Sequence, residues 1–144
     1  MKIKVLDGVT TNNGVPTAGS ATVGFALKGL GGYVATVSSS MGQSPPLSGQ
    51  CAFKLKSTAG SGTMTLEVIC WVFSLADSEW APLGADVTAS KRGMLNGGNA
   101  ITEVNANSLV HTEYINGLQH YDRVYFQTAN IGGTATAVDG WLIG

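Results

Sequence analysis

The sequence predicts an all-β fold: one β-sandwich domain formed by residues 1–144. Apolar and polar residues alternate over short segments, which is the period of a strand, and no window of ten residues carries a helical period. Gly, Thr, Ser and Asn supply more than a third of the chain, in proportions that suit strands joined by tight turns. The predicted strand order is jelly-roll-like, with an immunoglobulin-like sandwich as the alternative.

The alternating segments and the Gly-, Asn- and Pro-rich turns between them set the predicted elements in order. Strands are predicted near residues 2–6, 21–27, 33–38, 50–56, 63–73, 85–89, 99–104, 108–115, 120–127 and 134–142.

A first hairpin is predicted between residues 50–56 and 63–70, turning at Gly60. This register sets two apolar rows on one face, and a slip of one residue would separate them. It brings Cys51 opposite Cys70, where both thiols are expected to stay reduced, as small core residues. Cys51, Phe53 and Leu55 form one row, and Met64, Leu66, Val68 and Cys70 form the other.

A second hairpin is predicted between residues 120–127 and 134–142, joined by residues 130–133. The chain then closes on Trp141, Leu142 and Ile143, an apolar segment that would be a liability if exposed. We therefore expect it to form a strand within a sheet or an interface.

Several apolar residues are candidates for contacts with another subunit. The run 68–73 is apolar on both faces, whereas a sandwich strand is usually polar outside, so either the chain itself or a partner must cover it. Residues 1–14 are a candidate N-terminal arm that adds a strand to a neighbour. The candidate interface residues are Ile3, Val5, Ile69, Trp71, Phe73, Trp141, Leu142 and Ile143.

The low charge excludes some partners. Charged residues make up 12% of the chain and the net charge is -1, which argues against nucleic-acid binding through phosphate neutralisation. No segment has the roughly 20 apolar residues of a membrane helix. The first residues lack the apolar core of a signal peptide, so synthesis in the cytoplasm is expected.

No residue pattern indicates catalysis, a cofactor or a metal. The chain has no GxSxG or HExxH motif, and its Gly-rich turns join strands rather than opening helices. His111 with Glu113, and His120 with Asp122, share faces of strands, and we interpret them as polar pairs rather than metal ligands.

Exposed aromatic residues suggest a second class of function. Tyr121 and Tyr125 fall on one face of a predicted strand with Arg123 between them, an arrangement that could form a stacking strip for a glycan. Aromatic residues are also favoured in strands and at protein interfaces, so both interpretations stay open.

Four segments in this order carry a resemblance to a known group of proteins. They are residues 19–29 (GSATVGFALKG), 62–68 (GTMTLEV), 74–84 (SLADSEWAPLG), and 121–125 (YDRVY) leading to 133–138 (GTATAV). This order resembles small β-sandwich proteins of tailed-bacteriophage virions, in which a T-V-T-L-E-V strand, an S-x-D-G-x-W-x-P-L-G turn and a late Y-R-V strand recur. The chain departs from that pattern at residues 77–79, where Gly is commoner, and at Asp122, an inserted acid.

The resemblance implies a non-enzymatic capsid decoration, or cement, protein. It implies binding to the major capsid protein on the outer surface of the virion, stabilisation of the shell, and assembly as a homotrimer. The alternatives are a tail, neck or fibre component, or a carbohydrate-binding module for host attachment.

Overall fold

The computed structural model describes residues 2–17, 24–27, 50–57, 63–84, 91–104, 109–133 and 137–144, and it forms two packed antiparallel sheets. The predicted strands 33–38 and 85–89 lie outside these ranges. Sheet A has the order β1-β9-β3-β7, and sheet B has the order β2-β8-β4-β5, with β6 paired to β4. The strands are β1 (Lys2–Val9), β2 (Phe25–Ala26), β3 (Gln50–Ser57), β4 (Thr63–Ser74), β5 (Glu79–Pro82), β6 (Ile101–Val104), β7 (Leu109–Asn116), β8 (Arg123–Gly133) and β9 (Val138–Ile143).

The strand order is that of a jelly roll. The early strands pair with the late strands in reverse: β1 with β9, β2 with β8, β3 with β7, and β4 with β5. This is the pairing of one long hairpin rolled into two sheets, to which β6 is an addition. An immunoglobulin-like order would place the first two strands in one sheet, whereas β1 and β2 lie in different sheets.

Alternation along the strands builds the core between the sheets. On β4, Met64, Leu66, Val68 and Cys70 are buried while the residues between them are half-buried. On β3, Cys51, Phe53 and Leu55 are buried in the same way. The two sheets meet at this core, where Phe53 of β3 stacks on Phe126 of β8 with ring centroids 4.9 Å apart.

Both predicted hairpins are wrong. β3 pairs with β7 and β9 in sheet A, while β4 pairs with β8, β5 and β6 in sheet B. β8 and β9 likewise lie in different sheets. An alternating sequence shows which side chains face the core, but two inward rows can be neighbours in one sheet or opposite each other across two sheets. The predicted pairing of Cys51 with Cys70 therefore fails, although both side chains do face the core.

The C-terminal segment is confirmed as a strand. β9 lies inside sheet A between β1 and β3, so its backbone is paired on both edges. The strand β5 was not predicted as a strand, because Trp80 and Pro82 fall in the turn-like segment 74–84. The turn before β5 holds Ser78 at φ 55, in the left-handed region.

Two short helical segments complete the described chain. α1 (Leu95–Gly98) contains left-handed residues at Asn96 and Gly97, and it is a turn rather than a regular helix. A 3-10 turn spans Leu118–His120. Neither segment, nor any other helix in the described ranges, is long and apolar enough to cross a membrane.

Candidate functional site

The predicted interface residues divide into two sets. Ile3, Val5, Phe73 and Leu142 are at most 6% exposed, so the protein itself accounts for their burial. Ile69, Trp71, Trp141 and Ile143 are half-buried and lie on the outer faces of the two sheets. Residues 2–9, the first part of the proposed arm, form β1 and pair with β9 of the same chain.

The outer face of sheet B is partly covered by the chain's own side chains. Trp80 packs against Phe73 with ring centroids 5.2 Å apart, and it meets Tyr125 edge-on at 6.2 Å. Arg123 is completely buried, and its guanidinium donates a hydrogen bond of 2.9 Å to the carbonyl of Gly24. This burial lowers the pKa of Arg123 from its ordinary value.

The segment that follows β1 lies along the edge of β8. The Asn13 side chain accepts a hydrogen bond from the Thr128 amide at 2.7 Å and donates one to the Phe126 carbonyl at 2.9 Å. An adjacent strand would satisfy the same two backbone groups, so Asn13 takes the place of a strand at this edge. The Tyr125 hydroxyl donates to the carbonyls of Asn13 and Gly14, at 3.2 and 3.1 Å.

These contacts bear on the predicted glycan strip. Tyr125 is half-buried, its hydroxyl is bonded to the N-terminal segment, and burial raises its pKa. Arg123 lies below the surface, and Tyr121 is half-buried against the core. The three residues do not present a flat, exposed strip.

The outer face of sheet A is different, because no described residue packs over it. We call it the open face. Its centre is Trp141, flanked in register by Lys4 on β1 and Lys54 on β3. Tyr114, on the neighbouring strand β7, is 67% exposed. The open face consists of the outward side chains Lys2, Lys4, Ala52, Lys54, Lys56, Thr112, Tyr114, Asp139, Trp141 and Ile143.

Lysines set the electrostatics of the open face. The Lys2 Nζ lies 4.6 Å from the centroid of the Trp141 ring, and the Lys4 Nζ lies 5.8 Å from it. Lys4 also pairs with Asp7 at 2.7 Å and with Asp139 at 3.1 Å, and the hydrogen bonds to these carboxylates raise the pKa of Lys4. Within the described residues, Lys54 and Lys56 make no ion pair.

A pocket of about 240 Å³ opens beside α1, lined by residues that include Lys91, Met94, Glu113 and Tyr114. Glu113 accepts hydrogen bonds from the His111 Nε2 at 2.6 Å and from the Asn96 amide at 2.7 Å. The predicted pairing of His111 with Glu113 is confirmed. The carboxylate holds α1 against β7, and this gives it a structural role.

The second predicted pair does not form. His120 is exposed in the 3-10 turn, where its ring contacts Gln119, while Asp122 accepts a hydrogen bond from the Leu75 amide at 2.7 Å. Across the ranges that the structure describes, no three His, Cys, Asp or Glu side chains come together as a metal site.

The two cysteines are free and buried. Burial raises the pKa of Cys70 well above its ordinary range and also raises the pKa of Cys51. A thiol with a raised pKa is a poor nucleophile because only the thiolate reacts. Both side chains therefore serve as core residues.

Sequence reasoning missed the lysines and Tyr114 as members of one surface. The signal was present, since Ala52, Lys54 and Lys56 alternate with the buried row of β3. What was lacking was the strand order: β9 pairs with β3 and β1 pairs with β9, so these lysines share a face with Trp141, Lys2 and Lys4.

The comparisons with protein families, curated proteins and solved structures give no match to this chain.

Proposed function

We propose that this chain is a non-enzymatic decoration protein of a phage capsid, which binds the outer surface of the shell as a homotrimer and stabilises it. The observation that carries the proposal is the rolled-hairpin strand order, since jelly rolls recur among viral capsid domains. The support is by analogy of fold, and it agrees with the resemblance of the sequence to small virion proteins.

The described residues suit binding better than chemistry. Glu113 is held by His111 and Asn96, the thiols are buried, and Asp122 is held by the Leu75 amide. The open face, by contrast, presents Trp141 and Tyr114, aromatic residue types that are enriched at protein interfaces. Its lysines, a residue type depleted at such interfaces, contribute charge instead. Binding to an assembled shell stabilises it by mass action, without any reaction.

Jelly rolls also recur among lectin domains, so carbohydrate binding is the second candidate. The exposed ring of Tyr114 beside the pocket near α1 is the observation that favours it. An aromatic ring at the rim of a pocket whose lining also includes polar side chains such as Lys91 and Asn116 is one way to hold a sugar.

The test is co-sedimentation with shells purified from the phage whose genome carries the coding sequence. Purified protein is mixed with the shells, and the pelleted fraction is measured with and without an excess of soluble host-surface glycan. The proposal predicts saturable pelleting that glycan does not change. Protein that stays in the supernatant, or that binds glycan alone, would overturn the proposal.

A further inference from the structure

We infer that the open face of sheet A is the docking surface of the protein, and that its partner is an acidic protein surface. The inference rests on the proposed function, because it assigns the side of the molecule that meets the shell. The juxtaposition that carries it is four lysines around Trp141, Ile143 and Tyr114 on one sheet face over which no described residue packs.

The lysines on the open face outnumber the carboxylates on or beside it. Four of the eight Lys and Arg residues of the chain lie on it, and the nearby acids are Asp7 and Asp139. Both aspartates bond Lys4, and Asp139 also lies opposite Lys56 in register, so two carboxylates face four lysines among the described residues. The face therefore carries a net positive charge on a chain whose net charge is -1.

The other carboxylates of the described residues lie elsewhere. Glu67 on β4, Asp77 in the turn that follows, Glu79 on β5 and Glu103 on β6 belong to the sheet B side. Asp122 bonds the Leu75 amide, and Glu113 bonds His111. Outside the described ranges the sequence contains one acid, Asp86, and residues 28–49 contain none. The complementary charge is therefore expected from another molecule.

The aromatic residues favour a protein partner over a nucleic acid. Proteins that hold single strands stack bases on free aromatic rings along a strongly basic groove. Here Lys2 and Lys4 sit over the Trp141 ring, so that ring is occupied by cations. The acids on the sheet B side would also repel a polyanion that wraps around the molecule.

The size of the face fits one contact of a multivalent attachment. Four strands about 4.8 Å apart, each contributing about six residues of roughly 3.3 Å, cover on the order of 400 Å². That is roughly half of what one partner contributes to a standard interface. A single copy would therefore bind weakly, and a trimer that presents three faces would bind firmly.

The test compares the wild-type protein with Lys54→Glu/Lys56→Glu, and with Lys54→Gln/Lys56→Gln in case charge reversal unfolds the chain. The matched control is Ala76→Glu, which adds an acid at an exposed position of the turn between β4 and β5, on the sheet B side. Binding is measured to purified shells and, separately, to immobilised poly-L-glutamate, a dT20 oligonucleotide and phosphatidylserine vesicles. Far-UV circular dichroism checks that each variant is folded.

The inference predicts that wild type and Ala76→Glu bind both shells and polyglutamate, and that the double reversal weakens both by at least ~10-fold, as does raised salt. Shell binding unchanged in both double variants would overturn the docking face and leave the proposed function standing. Binding to polyglutamate but not to shells would overturn the proposed function instead. Tighter binding to dT20 or to vesicles than to polyglutamate would overturn the inference that the partner is an acidic protein surface.

Discussion

Two glycines show how strongly single positions constrain this fold. Gly133 has φ 91 at the end of β8, and a Cβ there would overlap the carbonyl oxygen of Thr63. Gly117 has nearly the same backbone angle, φ 88, but a Cβ there meets no atom within 4 Å. A side chain added at either position would strain the backbone in the same way. Only at Gly133 would it also collide with Thr63.

We predict that Gly117→Ala lowers the free energy of unfolding by about 1–2 kcal/mol, the cost of a left-handed backbone for an L-residue. Gly133→Ala should lower it by more than about 3 kcal/mol, because β4 and β8 must also separate to admit the methyl group. Guanidinium denaturation followed by tryptophan fluorescence measures both. Equal losses for the two variants would contradict the close approach of Gly133 to Thr63.

The buried thiols give a prediction on pH. Since burial raises the pKa of Cys51 and Cys70, the native thiols stay protonated above pH ~8.5, where unfolded thiols ionise. Their contribution to stability is complete below that pH and is lost as the pH rises. The free energy of unfolding should fall between pH 8 and 9.5, with a slope approaching about 1.4 kcal/mol per pH unit for each thiol.

The control is Cys51→Ala/Cys70→Ala, in which the same pH interval should show a smaller slope. A native protein whose thiols react with a thiol reagent at pH 8 as fast as the unfolded chain would contradict their burial. The comparison needs no knowledge of function.

At the scale of elements, the edge of β8 depends on a side chain rather than a strand. Asn13 satisfies the Thr128 amide and the Phe126 carbonyl, next to where β2 pairs with Val124. An uncovered edge of this kind invites pairing with other chains. The N-terminal segment therefore protects sheet B as well as covering Tyr125.

We predict that Asn13→Ala destabilises the protein by about 1–3 kcal/mol, because it leaves two backbone groups of β8 without partners. Hydrogen exchange of the Thr128 amide should accelerate by roughly tenfold or more. Thr10→Ala, at an exposed position in the same segment, is the control and should change neither quantity. Unchanged exchange at Thr128 in Asn13→Ala would contradict the role of Asn13.

The sequence predicted most of the described strands correctly, but it did not predict which strands pair with each other. Alternation correctly predicted the buried rows of β3 and β4, because successive side chains of a strand point to opposite faces and the apolar ones face the core. The alternation of residues does not show which strands pair. The turn at Gly60 favoured a hairpin of β3 with β4, yet these two strands lie in different sheets. The open face was missed for this reason, since Lys54 meets Trp141 only when β3 pairs with β9.

At the scale of the whole molecule, charge is distributed unequally between the two sheets of the described chain. Four lysines and two aspartates lie on or beside the open face of sheet A, whereas Glu67, Asp77, Glu79 and Asp122 belong to the sheet B side. Such an unequal distribution orients a protein as it approaches a charged surface. It would turn sheet A toward an acidic shell.

Because one open face alone would bind weakly, firm attachment requires several copies of the chain. We predict that light scattering after size exclusion gives a mass near three times 14.8 kDa, the mass of one chain. A trimer supplies three docking faces, so weak single contacts add to firm attachment. A monomer at working concentrations would contradict the trimeric arrangement.

Stabilisation of a capsid by binding is the function that we propose for this chain. The most direct measurement is the temperature at which purified shells release their DNA, with the protein absent and with it bound to saturation. We expect a higher release temperature for the decorated shells, because only the intact shell offers the binding sites. The same release temperature in both samples would contradict it.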